Sequence, residues 1–243
     1  MKLSIIVPVY NEMSTIEDVL KRVIDVDLSG FKMEKEIIVV NDGSTDKSGD
    51  ILKTVCKDMN RQDNKQINGS YNIKVIHHEK NKGKGAAIRT GFNSITGDIV
   101  IIQDADLELT TKEIPLLLLP IIEGKTSVVF GSRFRRKVQG MYLSTLIANK
   151  IFTFFTNLLY GAHITDVMTC YKVMSADVVK MLRLRSDKFD IEPELAAKIC
   201  KTGYKIYEDP ISYNPRKFKS GKKIGFLDSF PVLWALIKYR FID

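Results

Sequence analysis

Three carboxylates follow a short apolar run at alternate positions of the chain. Residues 99–102 read IVII, and Asp104, Asp106 and Glu108 come shortly after them. In an extended chain alternate side chains share one face, so neighbouring carboxylates of this row would lie about 7 Å apart. Each such pair would repel by about 2 kcal/mol at an effective dielectric constant of about 20. The row therefore requires a cation that compensates this repulsion.

The ligand chemistry of this row favours a hard divalent cation. Carboxylate oxygens with no His or Cys nearby select Mg²⁺ or Mn²⁺ over softer metals. These ions keep part of their water shell and bridge to substrate phosphates. A helix-capping turn could account for Glu108, but not for Asp104 so soon after four apolar residues. We therefore predict a site for Mg²⁺ or Mn²⁺ in this row.

The acidic row must be positioned by the elements around it, and five apolar runs have the length of β-strands. They read LSIIVPV, EIIVV, IKVIH, IVIIQ and SVVFG. Helical patterns lie between them, and the pairs Ser14/Glu17 and Thr110/Glu113 have the spacing of capping boxes. Buried strands that alternate with helices predict an α/β fold, with a mostly parallel, doubly wound sheet flanked by helices.

Four polar clusters follow these strands or lie close to their ends. They occupy residues 8–12, 41–46, 81–85 and 104–106. Any one of them could be an ordinary turn, because Asn, Asp, Gly and Ser are typical turn residues. Ligands of doubly wound sheets bind beyond the carboxyl ends of the strands. Taken together, the four clusters predict one shared cleft.

The bulk composition excludes several classes of protein. The 243 residues carry a formal net charge of +8, and the share of charged residues, 27%, is ordinary for a globular domain. The positive charge favours an anionic partner. Nucleic acid is not expected, since no aromatic-interleaved or helix-turn-helix pattern accompanies the charge. The three cysteines lie far apart in the sequence, which fits a reducing, cytoplasmic setting.

Four motifs together resemble an enzyme family. The stretches PVYNE, NDGSTD, NKGKGAA and DADLE are similar to those of the nucleotide-sugar glycosyltransferases of family 2, which have the GT-A fold. The later stretches GSR, DVMTCYKV, FDIEPELAAKI and YNPRKFKSGKKIG resemble the polyprenyl-phosphate branch of that family, which includes the dolichyl-phosphate mannose and glucose synthases. The resemblance covers nearly the whole chain.

The resemblance implies an inverting, metal-dependent hexosyltransferase that moves mannose or glucose from GDP-mannose or UDP-glucose to a polyprenyl phosphate. The residues implied to bind the nucleotide sugar are Pro8, Tyr10, Glu12, Asp42, Lys84, Asp104, Ala105 and Asp106. Those implied to bind the metal are Asp106 and Glu108. Those implied to bind the acceptor phosphate are Ser132, Arg133, Arg216 and Lys222. The implied catalytic residues are Asp104, Asp106 and Arg133.

The implied acceptor changes what the site has to supply. A lipid phosphate monoester is already ionised near neutral pH, so basic residues that position it matter more than a general base. Glu108 departs from the mannose synthases, which often carry Gln there, and adds a negative charge. Two alternatives stay open. One is a family 2 transferase that glycosylates a saccharide hydroxyl for a surface polysaccharide, and the other is a catalytically silent nucleotide-sugar-binding protein.

The whole chain, 1–243, is predicted to be one GT-A domain. Its halves would be a nucleotide-sugar-binding part at 1–131 and an acceptor part at 132–223. An amphipathic helix within 224–243 could lie at a membrane interface, since SFPVLWALIKYRF is apolar nearly all round and carries Trp, Tyr, Lys and Arg. No stretch reaches the roughly 18 apolar residues of a spanning helix. We therefore expect peripheral association with the cytosolic face of a membrane.

A second amphipathic segment covers residues 146–160. Five apolar residues share one face of its predicted helix: Ile147, Ile151, Phe154, Phe155 and Leu158. The other face is polar and includes Asn149, Thr153 and Thr156. The apolar face could either pack on the protein core or lie in the headgroup region of a membrane. The sequence favours neither.

Overall fold

The computed structural model describes residues 1–61, 71–136, 138, 140–216 and 229–242. Within these ranges the β-strands are β1 Lys2–Val9, β2 Glu34–Asn41, β3 Tyr71–His77, β4 Ile99–Ile102, β5 Val128–Ser132, β6 Lys172–Ser175 and β7 Tyr207–Pro210. The α-helices are α1 Ile16–Ile24, α2 Ser48–Arg61, α3 Lys84–Phe92, α4 Ile114–Ile122, α5 Leu143–Tyr160, α6 Ala176–Met181, α7 Ile191–Lys201 and α8 Ser229–Phe241.

The seven strands form one sheet in the order β3-β2-β1-β4-β6-β5-β7. Strands β1 to β4 are parallel to one another, and β5 is parallel to β7. Strand β6 is antiparallel to both of its neighbours, β4 and β5. The five apolar runs all became strands. The predicted α/β class, with a mostly parallel GT-A sheet, is confirmed.

The core lies along the centre of the sheet and fixes where the strands end. Ile5 of β1 is in register with Ile37 of β2 and Ile101 of β4, and all three side chains are fully buried. Helix α3 packs close against β1, because a Cβ on Gly91 would lie 2.5 Å from the Ile6 side chain. This close approach allows the first residue of α3 to reach the carboxyl edge of the sheet.

Neither predicted capping box forms. Helix α1 is preceded by Thr15 rather than Ser14, and the Thr15 hydroxyl donates to the Ala105 carbonyl at 2.8 Å instead of capping the helix. Helix α4 begins only after a short 3₁₀ turn, and the carboxylate of Glu113 accepts hydrogen bonds from Arg136 and Ser212. Both predictions were wrong: Glu17 pairs with Lys21 of its own helix, and Glu113 is engaged by tertiary contacts.

Helix α5 has its apolar face towards solvent. The five apolar residues of this face, the α5 stripe, are all exposed: Ile147, Ile151, Phe154, Phe155 and Leu158. The buried side includes Asn149, Thr153 and Thr156. Their polar groups find partners there, since Thr153 accepts from the Val167 amide at 3.2 Å. The alternative that the stripe packs on the core is therefore wrong.

Helix α8 packs on α5 and α7 and exposes apolar residues of its own. Val232, Leu236 and Tyr239 are buried, whereas Trp234 is 65% exposed and Phe241 is 82% exposed. In the described part of the chain, no helix combines the length and apolar character needed to cross a membrane.

Candidate active site

The four predicted clusters meet at the carboxyl edge of the sheet. Asn11, after β1, accepts a hydrogen bond from the Thr45 amide at 2.8 Å. Lys84, at the start of α3, contacts Asp104, which follows β4, at 2.8 Å. The remaining link is the bond from Thr15 to Ala105 described above. The structure thus places the predicted donor-binding side chains around one site.

Asp42 is the best-satisfied carboxylate of this edge. Its Oδ1 accepts from the Lys82 amide at 2.9 Å and lies 2.6 Å from His78 Nδ1. Its Oδ2 accepts from the Gly83 amide at 2.7 Å and from Asn81 Nδ2 at 3.0 Å. An ionised carboxylate offers about four lone-pair sites. All four are in use, so Asp42 organises the turn before α3, and its contact with a nucleobase stays a prediction.

The turn that carries Asp42 requires glycine next to it. Gly43 has a φ of 65°, and a Cβ there would lie 2.4 Å from the backbone of Lys80. Only a residue without a side chain allows the chain after β2 to approach the segment after β3 this closely. This explains the glycine of the NDGSTD motif in structural terms.

The acidic row is a turn rather than a continuation of the strand. Strand β4 ends at Ile102, and Asp106 Oδ1 accepts from the Glu108 amide at 3.1 Å. The expectation that the three carboxylates share one face of an extended chain was wrong, because an aspartate that bonds the amide two residues on bends the backbone. We call residues 104–108 the acid loop.

The two aspartates of the acid loop are paired with different cationic side chains. Lys84 lies 2.8 Å from Asp104 Oδ1, and Arg216 lies 2.6 Å from Asp106 Oδ2. Arg216 also donates to Glu12 through both terminal nitrogens, at 3.0 and 3.2 Å, and through its amide to Glu108 at 2.9 Å. One arginine therefore joins Glu12 to the acid loop.

The acid loop remains short of positive charge even with these two partners. Burial, and after it the charge of Asp104, raises the pKa of Asp106 to about 6 against the opposing effect of Arg216. A carboxyl group that resists ionisation in this way is stabilised by any further cation that reaches it. The electrostatics of the loop thus favour binding of a cation.

The side chains at the loop fit a divalent ion that is bound jointly with a phosphate ligand. Among the described residues, no three His, Cys, Asp or Glu side chains are grouped so as to hold a metal by themselves. Mg²⁺ is commonly bound through one or two carboxylates together with substrate phosphates, which needs no such group. Asp106 and Glu108 supply carboxylate oxygens of the right chemistry. Their role as metal ligands stays a prediction.

Two residues of the later motifs, Lys172 of DVMTCYKV and Glu192 of FDIEPELAAKI, complete the site behind Lys84, although the sequence assigned neither of them to donor binding. Glu192 of α7 lies 2.8 Å from the Lys84 ammonium, and its other oxygen pairs with Lys172 of β6. Burial would raise the pKa of Glu192, but Lys172 and Lys84 outweigh it and lower the pKa to about 2. Lys172 and Glu192 lie 88 and 108 positions after Lys84, so no local pattern could have joined them to it.

The predicted acceptor residues lie in a layer of internal ion pairs. Arg133 is buried and donates from Nε and Nη2 to Asp166, at 2.7 and 2.8 Å, with the Tyr213 ring 5.1 Å away. Ser132 is fully buried and shares a hydrogen bond of 2.6 Å with Thr165. Their contact with an acceptor phosphate stays a prediction. Lys222 lies outside the described residues.

The remaining predicted residues lie around the end of β1. Pro8 is within the strand, in register with Val40, and Tyr10 follows it, half-buried. Glu12 is buried and is held by Arg216. Ala105 is buried within the acid loop. The residues predicted to line the nucleoside pocket therefore lie around the carboxyl end of β1, and their contact with a nucleoside stays a prediction.

The chain belongs to glycosyl transferase family 2. The sequence model of that family matches residues 4–183. The sequence is 25% identical to the low-salt glycan biosynthesis hexosyltransferase Agl6 of Haloferax volcanii, over 99% of this chain and 53% of that protein. It is 29% identical to a dolichol-phosphate mannosyltransferase of Pyrococcus furiosus, over 93% of this chain and 60% of that protein. The predicted glycosyltransferase family is confirmed.

A solved structure shows the same fold. Glucosyl-3-phosphoglycerate synthase from Mycobacterium tuberculosis, in complex with Mn²⁺, UDP-glucose and phosphoglyceric acid, aligns with a TM-score of 0.68 and 18% identity. The alignment covers 100% of this chain and 80% of that one. The present chain spans between half and two thirds of the two relatives described above.

Proposed function

We propose that the chain is an inverting, metal-dependent hexosyltransferase that uses a nucleotide-diphosphate sugar as donor and a polyprenyl phosphate as acceptor. The observation that carries the proposal is the acid loop at the carboxyl edge of the sheet, where Asp106 keeps a raised pKa beside Lys84 and Arg216. The named activity of the Pyrococcus relative supports the lipid-phosphate acceptor. The Mycobacterium complex supports a nucleotide sugar and a divalent ion only through a shared fold.

The acid loop would hold the donor. Asp104 would bind the ribose side of the nucleotide, while Asp106 and Glu108 would hold Mg²⁺ or Mn²⁺ against the diphosphate. When bound, such an ion stabilises the negative charge that develops on the departing diphosphate. Lys84 contributes a positive charge from the protein, because its ammonium already lies at Asp104. Pro8, Tyr10, Glu12, Asp42 and Ala105 would line the nucleoside side of this site.

Arg216 would exchange partners during the reaction. Without donor it pairs with Glu12 and Asp106, and a donor-bound cation would take its place at Asp106. Once Asp106 has another cation, the guanidinium is released and can bind a phosphate in bidentate fashion. This exchange would turn an internal ion pair into the predicted acceptor-phosphate contact, alongside Ser132, Arg133 and Lys222.

The exposed apolar surface supports contact with a membrane. The α5 stripe is exposed, and α8, which packs on α5, exposes Trp234 and Phe241. Lys150 and Arg240 are exposed on the same two helices. An apolar face flanked by cationic side chains suits the headgroup region of an anionic bilayer. We propose that these helices bring the protein to the cytosolic face of a membrane, where the acceptor lipid resides.

Flotation with lipid vesicles tests the membrane contact. We expect wild type to float with vesicles that contain anionic lipid, and Phe154→Ser combined with Leu158→Ser to abolish flotation with little change in melting temperature, since both side chains are exposed. Leu116→Ser is the matched control, because Leu116 is similarly exposed but lies on α4. Equal flotation of the double variant and wild type would contradict the proposed surface.

A transfer assay tests the proposed reaction. The protein is incubated with UDP-glucose or GDP-mannose, Mn²⁺ and either a polyprenyl phosphate or a panel of saccharides. We expect the sugar to appear in the lipid phase with one of the two donors. Transfer to a saccharide alone would favour the polysaccharide alternative. Donor binding without any transfer would favour the silent binding protein.

A further inference from the structure

A buried line of alternating charges leads from the core to the acid loop. Lys172 pairs with Glu192, Glu192 lies 2.8 Å from Lys84, and Lys84 lies 2.8 Å from Asp104. The members come from β6, α7, α3 and the loop after β4. Lys172 is fully buried, and its ammonium also donates to the Thr169 carbonyl and lies 4.9 Å from the Phe130 ring.

We propose that Glu192 and Lys172 are positioning residues, which hold the Lys84 ammonium against Asp104 before the donor arrives. The inference rests on the proposed function, since it matters only if Lys84 and Asp104 bind the donor. A lysine side chain loses much rotamer freedom when it is ordered. Because Glu192 fixes the ammonium in advance, that loss does not oppose donor binding.

Lys172 is needed because Glu192 is buried. An isolated buried carboxylate is disfavoured in its charged form and takes up a proton. The Lys172 ammonium, itself without access to solvent, supplies the opposite charge that keeps Glu192 ionised. Only the ionised carboxylate can pair with Lys172 on one oxygen and Lys84 on the other. Lys172 thus acts on the donor site through two intervening side chains.

The line of charges is not what joins α3 to the segment before α7. The backbone already joins them, since the Ala86 amide donates to the Asp187 carbonyl at 3.1 Å. A Cβ on Gly85 would lie 2.3 Å from the Ser186 carbonyl oxygen, so the two segments are in direct backbone contact. Buried ion pairs are also poor stabilisers of a fold compared with apolar residues of similar size. Positioning of Lys84 accounts for the charges better than stability does.

Calorimetric titration of the full chain with donor sugar in the presence of Mn²⁺ tests the inference without requiring an acceptor. The probes are UDP-glucose and GDP-mannose, and the melting temperature of each variant is measured in parallel. Glu192→Gln leaves Lys172 as an unpaired buried cation, so we expect a lower melting temperature and a dissociation constant raised about tenfold. Adding Lys172→Met removes that stranded charge.

The double variant separates positioning from folding. We expect Glu192→Gln with Lys172→Met to regain the wild-type melting temperature while the donor dissociation constant stays about tenfold raised. Recovery of the donor affinity together with the melting temperature would overturn the inference, because the pair would then be purely structural. If wild type binds neither donor, the proposed function itself has failed, and the inference fails with it.

Glu36 provides the matched control. It is buried, and hydrogen bonds from Ser4 and Thr96 outweigh burial and lower its pKa to about 2, as for Glu192. It lies near the start of β2, at the edge of the sheet opposite the acid loop. We expect Glu36→Gln to lower the melting temperature and leave the donor dissociation constant unchanged. A change in donor affinity as large as that of Glu192→Gln would show that any lost buried charge suffices, and would contradict positioning.

Discussion

Asp104 and Asp106 lie two residues apart, yet the cations that hold them are anchored in different ways. The partner of Asp104 is Lys84, which is itself held by Glu192 and, behind it, by Lys172. The partner of Asp106 is Arg216, whose other side-chain contacts are to carboxylates of the same site. The first cation is held by buried side chains, and we propose that a donor-bound cation can replace the second at Asp106.

This difference assigns separate tasks to the two halves of the acid loop. The Asp104 side is formed before any ligand binds, and Glu192, with its pKa near 2, keeps it charged at all physiological pH values. The Asp106 side is unsaturated, because the pKa of Asp106 stays at about 6. A site with one permanent and one exchangeable cation suits a ligand that brings its own metal ion.

The largest effect on transfer is expected from a substitution at Asp106, the carboxylate whose cation we propose to be exchangeable. Asp106→Asn removes the carboxylate that the metal-bound donor would need, so we expect transfer to fall by about 10²- to 10³-fold. The melting temperature should hold or rise slightly, because a buried like charge disappears. Initial rates with Mn²⁺ and donor measure the first effect. Asp98→Asn, at the far edge of the sheet, is the control, and equal losses in both variants would refute the assignment.

Arg216→Ala should have a smaller effect, which lowers the stability of the fold and increases its response to Mn²⁺. The variant leaves Glu12 and Asp106 without their shared cation, so we expect unfolding to become easier by about 1–2 kcal/mol. Mn²⁺ without nucleotide should then stabilise the variant more than it stabilises wild type, as measured by thermal shift. Arg136→Ala, which breaks a similar pair with Glu113, is the matched control. An identical thermal shift on addition of Mn²⁺ in wild type and both variants would show that Arg216 does not compete with Mn²⁺ for Asp106.

Donor binding at Asp106 and the stability contributed by Glu192 should depend on pH in different ranges. The folded pKa of Asp106 is raised to about 6, so donor binding with Mn²⁺ should weaken as the pH falls through 6, while protonation of this group does not destabilise the fold. The folded pKa of Glu192 is lowered to about 2 from an ordinary value of 4.5, so its stabilising contribution is fully present above pH 4.5 and is lost progressively as the pH falls through 2.

Dissociation constants and melting temperatures measured between pH 4 and 8 should therefore follow different curves. Donor affinity should decline at a pH where the fold is still at full stability. A single transition shared by both measurements would contradict the separation of the two sides.

The sequence predicted the parallel part of the sheet because β-branched runs of strand length mark it. It missed β6 and β7, which read KVMS and YEDP, because charged and polar residues interrupt their apolar character. Strand β4 is equally short, but its four residues are all apolar. The clusters at the strand ends were predictable because parallel strands bring their carboxyl ends to one edge.

Which residues pair across that edge could not be predicted in the same way. Lys84, Glu192 and Lys172 come from separate elements, and only the packing of α3 and α7 brings them together. The periodicity of α5 predicted an apolar face but not its direction. Periodicity shows which residues share a face, whereas the neighbouring elements determine which face is buried.

The most direct test of the exchangeable side is donor binding measured with and without Mn²⁺. The account predicts that wild type binds its nucleotide sugar at least about tenfold more tightly with Mn²⁺, and that Asp106→Asn loses this gain while keeping the metal-independent affinity that Lys84 and Asp104 support. Equal affinity of wild type with and without Mn²⁺, or an undiminished gain in Asp106→Asn, would contradict the central claim.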